Sequence, residues 1–327
     1  MRLLVTGGAG FIGSHFVRTL LTGGYAAYRG ADVTVYDKLS YAGREANLAS
    51  VSDDPRYRFV KGDILDSTLL DDVLPGHDAV LNFAAESHVD RSILGASEFV
   101  MTNAVGVQTL LDACQRAGIP RVVQVSTDEV YGSIAEGAAR EGDPLDPSSP
   151  YSASKAAGDL IARSYVVTHG LDVVITRCTN NYGPYQFPEK IIPLFVTNLI
   201  DGLPVPVYGD GMNVRDWLHV DDHCRAIALA LQNGRSGEVY NISGGIAMAN
   251  RELTERLLGA FGRDWSSVEM VEDRKGHDRR YAIDDSKIRA ELGYEPAVGF
   301  DDGLASTIAW YLENEAWWRE LKDGAAA

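Results

Sequence analysis

Tyr151-Ser152-Ala153-Ser154-Lys155 places a phenol four residues before an ammonium, and on a helix positions i and i+4 share one face. Beside the positively charged ring of an oxidised nicotinamide, a lysine favours the phenolate and lowers the tyrosine pKa. Such a pair can take a proton from an alcohol while its hydride leaves. Just upstream, Ser126-Thr127-Asp128-Glu129 supplies two adjacent carboxylates. Simple alcohol oxidation has no use for them, so they point to a second acid–base step on the same substrate. Taken singly, each pattern has an ordinary reading, as a chance spacing or a solvated acidic pair. The N-terminus supplies the context.

Arg2 to Thr6 is a short apolar run opening into Gly7-Gly8-Ala9-Gly10-Phe11-Ile12-Gly13. Gly7, Gly10 and Gly13 form G-x-x-G-x-x-G, a dinucleotide fingerprint with its first two glycines one residue further apart. These glycines permit a tight strand-to-helix turn and close approach of backbone N–H groups to a pyrophosphate. Phe16, Val17, Leu20 and Leu21 continue as a helical apolar stripe. Val33 to Asp37 then reads as a second strand, ending in an acid 24 residues after Gly13. Asp37 in that place accepts from a ribose 2′-hydroxyl and repels a 2′-phosphate, which favours NAD over NADP. Gly62-Asp63-Ile64 is a loop suited to contact adenine. Asn82-Phe83-Ala84-Ala85-Glu86-Ser87 ends the fourth strand with small residues that let a cofactor pass, although close helix–strand packing would also use those alanines.

Those groups need a scaffold. Strand-like runs recur at 2–6, 32–37, 57–60, 79–83, 121–126 and 172–176, separated by segments with helical spacing. This alternation predicts an α/β, Rossmann-like, doubly wound parallel sheet. After residue 177 prolines punctuate the chain, predicting a smaller C-terminal substrate-binding α/β region. Residues 1–177 would form the NAD-binding domain, with part of 215–242 crossing back to it, and 178–327 the substrate region. Trp310, Tyr311, Trp317 and Trp318 would pack a C-terminal helix, with the end from Asp323 frayed.

The totals narrow the function classes. A formal charge of −16 argues against nonspecific nucleic-acid or anionic-membrane binding. No apolar run approaches the ~20 residues needed to span a bilayer. Met1 leads directly into the first strand, so no leader is expected. Cys114, Cys178 and Cys224 lack metal spacing and suit a reducing cytoplasm, and no metal is expected. His88 and His219 read as hydrogen-bonding structural residues rather than ligands. An anionic sugar nucleotide would require bases gathered against the overall field, from the C-terminal half.

Together these motifs resemble the extended short-chain dehydrogenase/reductase family, and within it the dTDP-glucose 4,6-dehydratases. The resemblance runs almost end to end. It includes Asp37 to Gly43, Ala84 to Ser92, Ser126 to Gly132, Tyr151 to Lys155 and Arg177 to Pro184. It continues through Pro188-Glu189-Lys190, Asn213 to Trp217 and Arg274-Lys275-Gly276-His277-Asp278. The Thr127-Asp128-Glu129 tripeptide is the subgroup marker. Related epimerases and decarboxylases share the fold and the Tyr–Lys pair but not the acid pair, and are the nearest rival reading. A nonenzymatic dinucleotide sensor would not need an intact Tyr–Lys pair.

The resemblance implies a three-stage reaction. Tyr151, tuned by Lys155, would deprotonate the C4 hydroxyl as hydride passes to NAD, with Thr127 orienting O4. Glu129 would remove the C5 hydrogen and Asp128 protonate the departing C6 hydroxyl, before hydride returns to C6. Asp128 must then hold a proton at neutral pH, which burial and Glu129 both favour. The implied cofactor set adds Phe11, Ile12, Lys38, Ser40, Thr102 and Ser126. Lys190, Arg215, Arg274 and His277 lie in loop-like stretches and would grip the diphosphate with Asn180 and Asn250. Ser87, Glu189 and Tyr208 would lie near the sugar or thymidine. A homodimer is implied too, through apolar stripes on helices near 99–117 and 151–168. Lys275 in place of a common Pro, and Thr179 in place of Ser, bear on pathway rather than reaction.

Overall fold

The computed structural model describes residues 1–325. Its first six strands are β1 (Arg2–Thr6), β2 (Asp32–Asp37), β3 (Tyr57–Lys61), β4 (Ala79–Asn82), β5 (Val122–Thr127) and β6 (Val173–Cys178). Six more follow: β7 (Asn180–Tyr182), β8 (Val205–Tyr208), β9 (Val214–His219), β10 (Val239–Ile242), β11 (Ala247–Ala249) and β12 (Val268–Val271). Seven strands form one parallel sheet in the order β10-β6-β5-β4-β1-β2-β3. Every residue of β5 and β6 is buried, as expected for strands covered on both faces.

Side chains alternate across the sheet. Leu3 and Val5 enter a core with Phe16, Val17, Ile227 and Leu231 on one face, while Leu4 packs with Leu110, Leu111 and Ala162 on the other. Strand order reverses between β1 and β4, leaving a crevice at their C-terminal ends where doubly wound sheets bind ligands. A third core, around Phe195, Trp217, Leu253, Tyr311 and Trp318, holds the C-terminal region. That region carries a three-stranded sheet, β11-β9-β7, and a two-stranded one, β12-β8.

Three local features refine the sequence reading. The return to the main sheet begins at the helix Val220–Asn233 and ends in β10, whereas 214–219 pairs with β7 and β11. The helix expected near 99–117 is interrupted by a π-turn at Met101–Gly106. Within it the Asn103 side chain accepts from Glu86 N at 3.0 Å and donates to Glu86 O and Ser154 Oγ, each at 2.9 Å. At the C-terminus the helix Glu315–Ala325 continues through the end expected to fray, and 326–327 lie outside the described residues.

Helix Pro150–His169 carries the Tyr–Lys pair, and its start is fixed tightly. Ser149 and Ser152 form a reciprocal capping box with Pro150 in the first turn. Further along, Asp159 accepts from Arg177 Nε of β6 at 2.9 Å, with side chains 1% and 6% exposed. Arg177 also donates to the Tyr131 hydroxyl at 2.7 Å. Removing one member of such a pair strands a buried charge. Asp159→Ala should therefore lower unfolding free energy by about 3–5 kcal/mol, read as a reduced urea midpoint. A midpoint equal to wild type would show that this pair does not fasten the helix to the sheet.

Candidate active site

The glycine loop presses against the end of β4. Gly7 has φ +64°, and a Cβ there would lie 2.5 Å from Ala84 N. At Gly13 a Cβ would lie 2.4 Å from Gly7 O, so the helix Phe11–Leu21 starts closer to the strand than any side chain allows. That helix has no side-chain cap and no acid in its first turn. Its first N–H groups are thus available to an anion. Asp37 accepts from Ala9 N at 2.9 Å and Leu39 N at 2.8 Å. Burial raises its pKa while those bonds and Lys38 oppose the rise. Lys38 itself pairs with Glu86 at 3.1 Å.

Every cofactor position expected from the sequence, from Gly7 to Lys155, lines one cavity of about 270 Å³. A bare helix N-terminus at one end, an acid at the end of β2 and a tyrosine at the far wall suit a dinucleotide.

At that far wall β5 ends in the turn Asp128–Tyr131, which Thr127 caps by accepting from Glu129 N at 3.3 Å. Thr127 Oγ1 also donates to Asp128 Oδ1 at 3.2 Å, while Asp128 Oδ2 is buried without a partner. Burial pushes the Asp128 pKa well up, and Glu129 and then Asp216 push it further against Arg215. Burial also raises Glu129, but Lys190, Arg215 and Arg274 all oppose the rise. Adjacent carboxylates thus sit in unlike fields.

Tyr151 and Lys155 are both buried and line the same cavity. Lys155 Nζ donates to Val125 O at 2.7 Å. Burial lowers the lysine pKa, opposed by Asp159, and pushes the tyrosine well up, with Glu129 adding to the rise. Lowering of the phenol pKa, expected from the lysine, is therefore not a property of the chain's own groups.

A second cavity, of about 170 Å³, adjoins the first through Glu129, Asn180, Asn181, Gln186, Glu189 and Lys190. Tyr208, Arg215, Asn250, Arg274 and His277 complete it, and Ser87 lines the cofactor side. Lys190 donates to Ser87 O at 2.6 Å, and Arg274 forks onto Asp90 at 2.5 and 2.8 Å. His277 meets Asp273 at 2.6 Å, with its pKa lowered chiefly by burial. Glu189 accepts from Tyr41 at 2.8 Å and Arg91 at 3.2 Å. Buried Oδ1 atoms of Asn180 and Asn250 have no partner in the protein.

Arg215 is a correction, because it stands on β9 rather than in a loop. Burial of its guanidinium is met by the carbonyls of Val214 and Asp278, at 2.8 and 3.0 Å. Tyr281 is the residue that sequence reasoning missed. Its hydroxyl donates to Asp278 at 2.8 Å and lies 3.4 Å from Glu129 Oε2, and its ring stacks under Arg215 at 4.2 Å. Only its place three residues after Asp278 hinted at it. His88 and His219 cap helices by accepting from Arg91 N and Asp221 N.

Residues 4–307 match the family described as GDP-mannose 4,6 dehydratase. A dTDP-glucose 4,6-dehydratase from Streptomyces niveus is 60% identical over 98% of this chain and 96% of its own. Another, from an Actinoplanes species, is 60% identical over 97% of this chain and 100% of its own. Among solved structures, the dTDP-glucose 4,6-dehydratase DesIV from Streptomyces venezuelae, crystallised with NAD, is 64% identical. It superposes with a TM-score of 0.97, covering 98% of this chain and 100% of that one. A UDP-glucose 4-epimerase from Thermotoga maritima shares the fold at 31% identity and a TM-score of 0.88, over 96% of this chain and 100% of its own. On this identity, sustained over nearly the whole length, the chain belongs to the dTDP-glucose 4,6-dehydratase family within the extended short-chain dehydrogenases/reductases.

Proposed function

We propose that the protein converts dTDP-D-glucose to dTDP-4-keto-6-deoxy-D-glucose and water, as a NAD-dependent hydro-lyase of deoxysugar biosynthesis. NAD held in the first cavity supplies the oxidant for C4 and returns the reducing equivalents to C6. In this reading residues 1–177, with part of 215–242, hold the cofactor, and 178–327 mainly hold the sugar nucleotide. Asp37 accepts from the adenosine ribose, and the N–H groups at Phe11 to Gly13 receive the pyrophosphate. Lys190, Arg215 and Arg274 meet the substrate diphosphate, joined by the side-chain amide N–H groups of Asn180 and Asn250 as donors.

Tyr151 takes the C4 hydroxyl proton, and Thr127 orients O4. The 4-ketone acidifies the C5 hydrogen, which Glu129 removes, and Asp128 gives its proton to the departing O6. The observation that carries this division is the unlike surroundings of the two carboxylates. Asp128 lies buried beside two other acids, which favours its protonated form, whereas at Glu129 three cations oppose the rise that burial causes. A 4-epimerase has no step that needs the first of these.

Each role has its own signature in heavy water. Glu129→Gln should abolish deuterium uptake at C5. Asp128→Asn should leave that uptake in recovered sugar nucleotide while slowing water loss by about 10²–10⁴-fold. Mass analysis of quenched reactions reads both, and wild-type elimination by Asp128→Asn would contradict the acid assignment.

A homodimer fits the exposed apolar side chains. Leu160 and Val167, 57% and 81% exposed, lie two helical turns apart on helix Pro150–His169, and Val100 and Met101 are exposed as well. A cytoplasmic setting is supported by three free, buried cysteines. Among the described residues no helix is long and apolar enough to cross a membrane. The double variant Leu160→Asp/Val167→Asp should sediment as a folded monomer where the wild type sediments as a dimer. A wild-type monomer at micromolar concentration would overturn the dimer.

A further inference from the structure

We propose that Trp317, Asn47 and Arg44 are positioning residues for the cofactor, through which the C-terminal helix holds the Ala9 peptide of the glycine loop. Ala9 is completely buried and gripped from both sides. Its N–H donates to Asp37, the acid assigned to the ribose, at 2.9 Å. Its carbonyl accepts from Arg44 N at 3.0 Å and from Asn47 Nδ2 at 2.8 Å.

Both residues that hold this carbonyl are themselves held by the helix Glu315–Ala325. Trp317 Nε1 donates to Asn47 Oδ1 at 3.0 Å, across 270 residues of sequence. Arg44 donates to Glu320 at 2.6 Å. Asn47 is 1% exposed, so the indole N–H is what satisfies its oxygen and stops the carboxamide from rotating. One face of that amide reads the helix and the other fixes the loop.

Aromatic packing extends the same support to the wall between the two cavities. Arg18, on the helix that follows the glycine loop, donates to Asn47 O at 2.5 Å and lies 4.0 Å over the Tyr185 ring. Tyr185 packs on Trp310 and Trp317 with centroids at 4.5 and 5.6 Å, and its φ of +68° is a conformation that non-glycine residues adopt only when held. The next residue, Gln186, lines both cavities. Docking of the last helix therefore sets the loop that receives the dinucleotide. An enzyme that regenerates NAD in each cycle gains from retaining it, and this latch lengthens its residence.

The inference rests on the NAD reading above, and the test separates the two. Dissociation constants for NAD and for dTDP would be measured by calorimetry on wild type, Trp317→Phe and Glu320→Gln. Phenylalanine keeps the packing and removes the N–H. The expected result is an NAD constant raised about fivefold in Trp317→Phe, the loss of one net hydrogen bond. Loss of the exposed Glu320 charge should raise it about twofold. The dTDP constant should not change, and added NAD should restore turnover. An NAD constant equal to wild type in Trp317→Phe, or equal weakening of NAD and dTDP, would overturn the latch. If Trp317→Phe does not fold, Glu320→Gln alone decides by the same comparison. Wild-type protein that binds dTDP but not NAD would overturn the cofactor reading and the latch with it.

Discussion

Where β5 stops determines the chemistry available to this molecule. Paired on both sides by β4 and β6, the strand delivers Thr127 to the crevice, and the threonine hydroxyl then turns the chain by accepting from Glu129 N. The turn closes at Gly132, where φ is +72° and a Cβ would lie 2.1 Å from Asp146 O. Consecutive carboxylates on a continuing strand would point to opposite faces of the sheet. On this turn both border the cavity at the crevice, Asp128 among acids and Glu129 toward the cations of the second cavity. Their unlike electrostatic surroundings follow from that geometry.

The charges that make this possible are costly to bury, and the protein binds each one before any ligand does. Lys155 rests on a strand carbonyl, Arg215 on two carbonyls and Lys190 on a fourth. Carbonyls satisfy the donors without cancelling their charge, which remains free to act on Glu129 and on a diphosphate. Arg274 differs, because Asp90 neutralises it. A chain with a net charge of −16 thus keeps a cationic wall by pairing it mostly with dipoles.

Much of the scaffold was legible in the sequence for a simple reason. Parallel strands buried on both faces must be apolar throughout, and a dinucleotide loop needs glycine where backbone meets backbone, so β1, the Gly7–Gly13 turn and Asp37 carry local signatures. The acid pair and the Tyr–Lys spacing are equally local. Contacts that join distant segments were not legible. Arg215 reads as a loop base until β9 is seen paired with β7 and β11, and Tyr281 meets Glu129 across 152 residues with no spacing to announce it. The π-turn at 101–106 contains an asparagine bonded to a loop and another helix, contacts with no local signature. Trp317 reads as core packing, because an indole N–H on Asn47 has no trace in periodicity.

The division of labour between the two carboxylates is most directly tested by infrared difference spectroscopy at neutral pH. Wild-type protein should show the C=O stretch of a protonated, buried carboxyl that disappears in Asp128→Asn and persists in Glu129→Gln. Absence of that band from the wild type, or its loss in Glu129→Gln instead, would contradict the account.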